Sequence, residues 1–152
     1  MAFAPNGSLW VGQSNRGWNS VGPRSYGLQR LDPTGRIPFE ILSMSARPDG
    51  FELRFTRPVD PEIAESVSTY RLSSYTYELR STYGSPELDE RQLVVDSATV
   101  FENGRGVRLK VQGLRAGYVH ELACRDLISA EGSLLLHSDA YYTLNRIPRA
   151  EN

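Results

Sequence analysis

Arg47-Pro48-Asp49-Gly50-Phe51-Glu52-Leu53-Arg54-Phe55-Thr56 decides the reading of the fold. Pro-Asp-Gly is turn chemistry: proline presets φ, and glycine accepts backbone angles closed to other residues. From Phe51 the residues alternate apolar and polar, so Phe51, Leu53 and Phe55 share one face of an extended chain. A helix would scatter them around its circumference, whereas a strand buried on one side places them together. Before the turn, Phe39-Glu40-Ile41-Leu42-Ser43-Met44 is expected to form the partner strand of a hairpin.

Downstream the same rhythm continues. Asp60 is expected to cap a short helix with Pro61 in its first turn, ending near Ser66. Further strands are expected over residues 70–80, 93–95 with 98–101, 107–111, 118–123 and 140–144, separated by Gly84-Ser85-Pro86, Glu102-Asn103-Gly104, the Gly113 to Gly117 loop and Ala130-Glu131-Gly132-Ser133. About seven strands in roughly 110 residues is the size of an Ig-like antiparallel β-sandwich. No amphipathic stretch is long enough for a helical layer. The fold class expected is therefore all-β.

Residues 1–36 have a different texture. They carry about half of the thirteen glycines and both tryptophans, Trp10 and Trp18. Asn6-Gly7 marks a tight turn, Ser8-Leu9-Trp10-Val11-Gly12 a strand, and Tyr26-Gly27-Leu28-Gln29-Arg30-Leu31 a second one before the Asp32-Pro33-Thr34-Gly35 turn. Two short strands are not stable alone, so this segment must pack on something. The organisation expected is a two-stranded segment over 1–36, a sandwich over 37–148 and a tail over 149–152.

Composition narrows the function classes. Across 152 residues, 17 basic and 18 acidic side chains leave a net charge of −1 with no block of either sign. No basic stripe suits nucleic acid. No polybasic patch suits a membrane surface, and no apolar run nears the ~20 residues of a spanning helix. Met1-Ala2-Phe3-Ala4-Pro5 lacks the basic flank and apolar core of a signal peptide. A single cysteine, Cys124, excludes an internal disulfide and any zinc site built on paired cysteines.

Catalytic constellations are sparse. His137-Ser138-Asp139 are adjacent, but adjacency is not triad geometry, and no Gly-x-Ser-x-Gly elbow exists; the trio is read as the turn entering the last strand. His120 is read as a strand residue facing a neighbour, and Cys124 as a buried apolar residue. Asp96, Glu102, Asp126, Glu131 and Asp139 are read as solvated loop carboxylates, since no Asp-x-Asp-x-Asp calcium spacing appears. No catalytic residue and no metal site is assigned. The tyrosines are the richest group. Tyr75 and Tyr77 lie two apart on one strand face, with Tyr83 nearby, and an exposed set could stack on sugar rings; packing is the competing reading.

Two stretches carry a family resemblance. Asn6-Gly7-Ser8-Leu9-Trp10-Val11-Gly12-Gln13-Ser14-Asn15-Arg16-Gly17-Trp18, continued by residues 26–31, resembles the end of the β-propeller in secreted bacterial proteins of the quinoprotein glucose/sorbosone dehydrogenase-like type. Residues 38–148 are similar to the domain that follows that propeller, notably at Arg47-Pro48-Asp49-Gly50-Phe51-Glu52-Leu53, Phe55-Thr56-Arg57-Pro58-Val59-Asp60 and Ala140-Tyr141-Tyr142-Thr143-Leu144-Asn145-Arg146-Ile147-Pro148. The resemblance implies a blade remnant plus an accessory Ig-like module in an extracytoplasmic protein, periplasmic or secreted. It implies pyrroloquinoline quinone and calcium only for the intact propeller, whose site spans several blades. The expectation is a non-catalytic module that docks through Trp10, Arg16 and Trp18 onto a parent propeller or another copy of itself. The alternative is a carbohydrate-binding module using Tyr75, Tyr77 and Tyr83, and a residual quinoprotein sugar dehydrogenase is the third reading.

Overall fold

The computed structural model describes residues 1–14, 24 and 26–150. The chain divides into two compact units, Met1–Arg36 and Ile37–Asn152.

In the first unit, β1 (Ala2–Phe3), β2 (Leu9–Ser14) and β3 (Tyr26–Leu31) form an antiparallel meander in that order. The Asn6-Gly7 turn joins the first two. Gly7 adopts φ 84°, the Asn6 carboxamide accepts from the Ser8 N–H at 3.2 Å, and the Gly7 N–H donates to the Ala4 carbonyl at 2.9 Å. Ser8 is buried and donates to Asp32 at 2.5 Å, tying the turn to the end of β3. The sequence pattern predicts two strands, and the structure adds a third. β1 is only two residues long, too short to show any alternation, and its pairing (Ala2 with Trp10, Phe3 with Leu9) becomes visible only once the turn is closed.

The second unit holds seven strands: β4 (Ile41–Arg47), β5 (Gly50–Phe55), β6 (Tyr70–Thr76), β7 (Leu88–Phe101), β8 (Gly106–Gln112), β9 (Tyr118–Cys124) and β10 (Asp139–Leu144). Their hydrogen-bonded order is β10-β9-β6-β7-β8-β5-β4, antiparallel throughout. The 14-residue β7 serves both layers. Its first half pairs with β6, its second half with β8, and register shifts between Val95 and Ser97. A bulge of this kind bends the strand and lets it change sheets. One layer is thus β4-β5-β8 with the end of β7, and the other is β10-β9-β6 with its beginning. This is the A-B-E-D and G-F-C arrangement of an Ig-type sandwich.

The core lies between the layers. Phe51, Leu53 and Phe55 from β5 and Val107, Leu109 and Val111 from β8 face Tyr70 and Leu72 from β6 and Leu122 and Cys124 from β9. The Phe51 ring sits 5.3 Å from the His120 ring on β9 and 5.6 Å from Tyr142 on β10, so it spans the two layers. Each buried Phe or Leu contributes roughly 1.5–3 kcal/mol relative to exposure. The hairpin turn lies at Pro48-Asp49, closed by the Arg47–Gly50 pair. The capped helix is α1 (Pro61–Ala64), where Asp60 accepts from the Glu62 and Ile63 N–H groups at 3.0 and 3.2 Å. Its last carbonyl is satisfied by the buried Tyr70 hydroxyl at 2.7 Å.

β4 runs Ile41–Arg47 and not from Phe39 to Met44, α1 ends at Ala64, and two further boundaries differ more widely from the sequence pattern. β7 begins at Leu88, because Leu88, Arg91 and Gln92 pair with β6 across an irregularity at Asp89 although this stretch has no apolar alternation. β6 stops at Thr76, where a register shift after Ser74 ends the pairing short of residue 80.

Candidate functional site

The residues that could do chemistry are engaged elsewhere. The His137 ring pairs with Glu40 at 2.7 Å, while Ser138 donates to Asp139 at 3.3 Å, so the three adjacent residues form no relay. Cys124 is buried, and burial, followed by the charge of Asp139, pushes its thiol up to about 12. A thiol held protonated in this way is a poor nucleophile. Three of the expected loop carboxylates have partners: Glu102 pairs with Arg54, Glu131 with Arg57, and Asp96, which lies within β7 and not in a loop, accepts from Gln112 at 2.7 Å. Among the described residues no three His, Cys, Asp or Glu side chains gather as ligands for a metal ion.

His120 is fully buried. Its Nε2 accepts the Arg115 backbone N–H at 3.4 Å and its Nδ1 lies 3.3 Å from the Tyr118 carbonyl. The two contacts assign the neutral tautomer with the proton on Nδ1. Burial lowers its pKa below the ordinary 6.5, assisted by the charge of Arg115. His120 therefore closes the β8–β9 corner by bonding back onto the loop before it.

Beside that corner lies a polar knot. Arg115 stacks over the Tyr118 ring, 3.5 Å from its centroid, and donates to the Asp89 carbonyl at 2.7 Å and the Ser74 hydroxyl at 3.2 Å. Arg115 also pairs with the Asp89 carboxylate, to which Tyr118 donates at 2.9 Å. Asp89 has φ 51°, a left-handed conformation that aspartate tolerates better than most residues. Tyr118 first, then Arg115 and Arg91, hold its carboxyl below the usual carboxylate range.

The tyrosines are separated by the fold. The β6–β9 register puts Tyr75 on the outer face with Arg71 and Ser73, opposite Val119. Tyr75 is nevertheless buried at 4% exposure, its ring edge-on to Tyr77 at 5.5 Å. Its ring face is thus unavailable for stacking on a sugar, and the Tyr77 phenol, together with burial, pushes its pKa up. Tyr77 is half-exposed and Tyr83 fully exposed in the loop between β6 and β7. Burial alone accounts for Tyr75: two residues apart on one strand is as good a spacing for packing as for display.

Sequence reasoning passes over Tyr141. It is 60% exposed on the outer face of β10, opposite Glu121 of β9, to which its hydroxyl donates at 3.2 Å. A cross-strand row, Gln92, Ser73, Glu121 and Tyr141, arises from the paired registers. Next to it lies a shallow depression of about 320 Å³ lined by Arg71, Ser73, Glu90, Gln92, Glu121, Ala123 and Arg125. The alternation of β10, Asp139 and Tyr141 outward with Tyr142 and Leu144 inward, is the signal that could have found it.

In the first unit, register puts Phe3, Leu9 and Leu31 on one face of the small sheet and Trp10, Leu28 and Tyr26 on the other. Phe3, Leu28, Tyr26 and Leu31 are all exposed. Trp10 is 38% exposed, with the Arg30 guanidinium 5.8 Å from its ring centroid. Arg16 and Trp18, the other expected docking residues, lie outside the described residues.

No protein-family model and no curated protein matches the chain. Solved structures share its fold. The N-terminal part of the bacterial S-layer protein SbsC matches with a TM-score of 0.55 and 22% identity, over 72% of this chain and 24% of that one. The S-layer protein rSbsC(31-844) matches with a TM-score of 0.56 and 20% identity, over 75% of this chain and 14% of that one. Domains 1-6 of the surface layer protein SbsC match with a TM-score of 0.55 and 21% identity over the same shares. At these identities the likeness is one of fold, and this chain spans a minor part of each of those molecules.

Proposed function

We propose that this chain is a non-catalytic docking module of a larger extracytoplasmic protein, an Ig-type sandwich on the same chain as a blade-like sheet. The observation that carries the reading is the two-sided apolar character of β1-β2-β3. Phe3 and Leu31 lie on one face and Leu28 and Tyr26 on the other, all exposed. A sheet with apolar side chains on both faces reaches stability only when both are covered. A propeller blade, stacked between two others, is one arrangement that does this. The resemblance of Asn6 to Trp18 and of residues 26–31 to the end of a quinoprotein glucose/sorbosone dehydrogenase-like propeller supports the same partner. The fold shared with bacterial S-layer proteins supports an extracytoplasmic setting. In this reading pyrroloquinoline quinone and calcium belong to the rest of the propeller, and the chain works by burial alone.

Sedimentation across a wide concentration range, with anilinonaphthalene-sulfonate fluorescence, tests it. The full chain should bind the dye while folded and self-associate as concentration rises, and a Phe3→Lys, Leu28→Lys double variant should do neither. A dye-dark monomer would overturn the docking reading. Reduction of a redox dye in the presence of the quinone, calcium and an aldose would overturn the non-catalytic one.

A further inference from the structure

The two outer faces of the sandwich treat their charges differently. On β4-β5-β8 the arginines are spent within the fold: Arg47 pairs with Glu52 at 2.5 Å, and Arg108 pairs with Glu52 and Asp49 at 2.7 and 2.6 Å. On the opposite face, Arg71 and Arg125 make no ion pair among the described residues, although Glu90 and Glu121 line the same depression. Ala123, paired with Arg71 across β6–β9, supplies a small floor between Glu121 and Arg125. Two guanidiniums and two carboxylates cancel in net charge, so the depression selects neither an anion nor a cation. What they offer together, with Gln92, is a mixed set of donors and acceptors. A vicinal polyol matches such a set, because each hydroxyl donates and accepts at once. Tyr141 stands beside this set with its hydroxyl anchored on Glu121, which leaves an exposed apolar ring at a polar rim.

We infer that the outer face of β6, β7, β9 and β10 is a binding site for a neutral oligosaccharide, with Tyr141 as the stacking platform and Arg71, Glu90, Gln92, Glu121 and Arg125 as the hydrogen-bonding rim. The depression, about 320 Å³, falls at the lower end of the roughly 300–1,000 Å³ range of small-ligand sites. It is open at the sheet surface, which suits a chain of sugar units crossing the strands rather than a single enclosed one. The site differs from the Tyr75, Tyr77 and Tyr83 group in that it depends on pairing across four strands. It does not depend on the docking reading, which concerns the other unit.

Titration of the full nitrogen-15-labelled chain with cellohexaose, xylohexaose, mannohexaose and chitohexaose tests the inference. At least one should produce saturable shifts in amides of residues 71–73, 90–92, 121–125 and 139–143. Tyr141→Ala should weaken that binding by roughly tenfold. Ala123→Leu, which fills the floor, should abolish it, while Arg47→Ala on the opposite sheet should leave it unchanged. Both site variants lie on the outer face, and dispersion of the spectrum reports that they remain folded. The inference is overturned if no hexasaccharide produces saturable shifts. It is equally overturned if only a polyanion such as polygalacturonate binds, if an extended peptide occupies the face instead, or if shifts survive unchanged in folded Tyr141→Ala.

Discussion

Gly50 on β5 lies directly against the main chain of Leu109 on β8: a Cβ at Gly50 would stand 1.9 Å from the Leu109 carbonyl oxygen. That oxygen belongs to a ladder and cannot swing aside as the end of a side chain could. The hairpin turn and the β5–β8 pairing therefore meet at a point that only glycine fits.

Gly50→Ala should force β5 and β8 apart and destabilise the sandwich by about 3 kcal/mol. Urea unfolding should show a lower midpoint at unchanged slope. Gly12→Ala, where nothing lies within 4 Å, is the matched control and should leave the midpoint in place.

His120 makes stability depend on pH near neutrality. Its folded pKa is below the ordinary 6.5, so below that value the unfolded chain binds the proton more readily than the folded one. Its contribution is complete above 6.5 and is lost as pH falls through the depressed folded value. Asp49, Glu52 and Asp89 are also lowered, from 3.8, 4.5 and 3.8, and their losses begin only at more acidic pH. Thermal unfolding from about pH 7 to about pH 5 should thus show a falling Tm that flattens in His120→Gln.

Arg115→Ala should destabilise the fold by about 1–3 kcal/mol, because it strips donors from the buried Ser74 hydroxyl and the Asp89 carbonyl together. Arg115→Lys should recover only part of this, since an ammonium cannot reproduce the planar stack on Tyr118. Amide exchange should quicken first around residues 89, 115 and 118.

Cys124 should be silent to a thiol reagent in the native protein at mildly alkaline pH, since burial raises its pKa to about 12 and leaves little surface for attack. The same reagent should titrate one thiol per chain in denaturant. Native reaction at the denatured rate would contradict the placement of Cys124 in the core.

The legible part of the fold comes from local physics. Phe51, Leu53 and Phe55 alternate because one face of β5 is buried and the other is wet, and that alternation is written in the chain itself. Asp60 and Pro61 similarly announce α1 by capping chemistry confined to four residues. These signals determined the all-β class, the hairpin and most of the strands. β7 escaped in its first half because Leu88, Arg91 and Gln92 are held by the β6 ladder and not by apolar periodicity, with Asp89 in a left-handed irregularity between them. β1 escaped for want of length.

The tyrosines draw the same line more sharply. Tyr75 and Tyr141 are both strand residues, and nothing local says that the first is covered and the second open. That difference comes from Tyr77 folding over Tyr75 beyond the end of β6, and from β10 lying at the sheet's edge beside Glu121. Strand identity and facing are properties of a few consecutive residues, so the sequence by itself determined them. Which face is covered, and which side chains from three separate strands share a depression, depends on pairing partners some tens of residues apart. Only the tertiary structure could decide that.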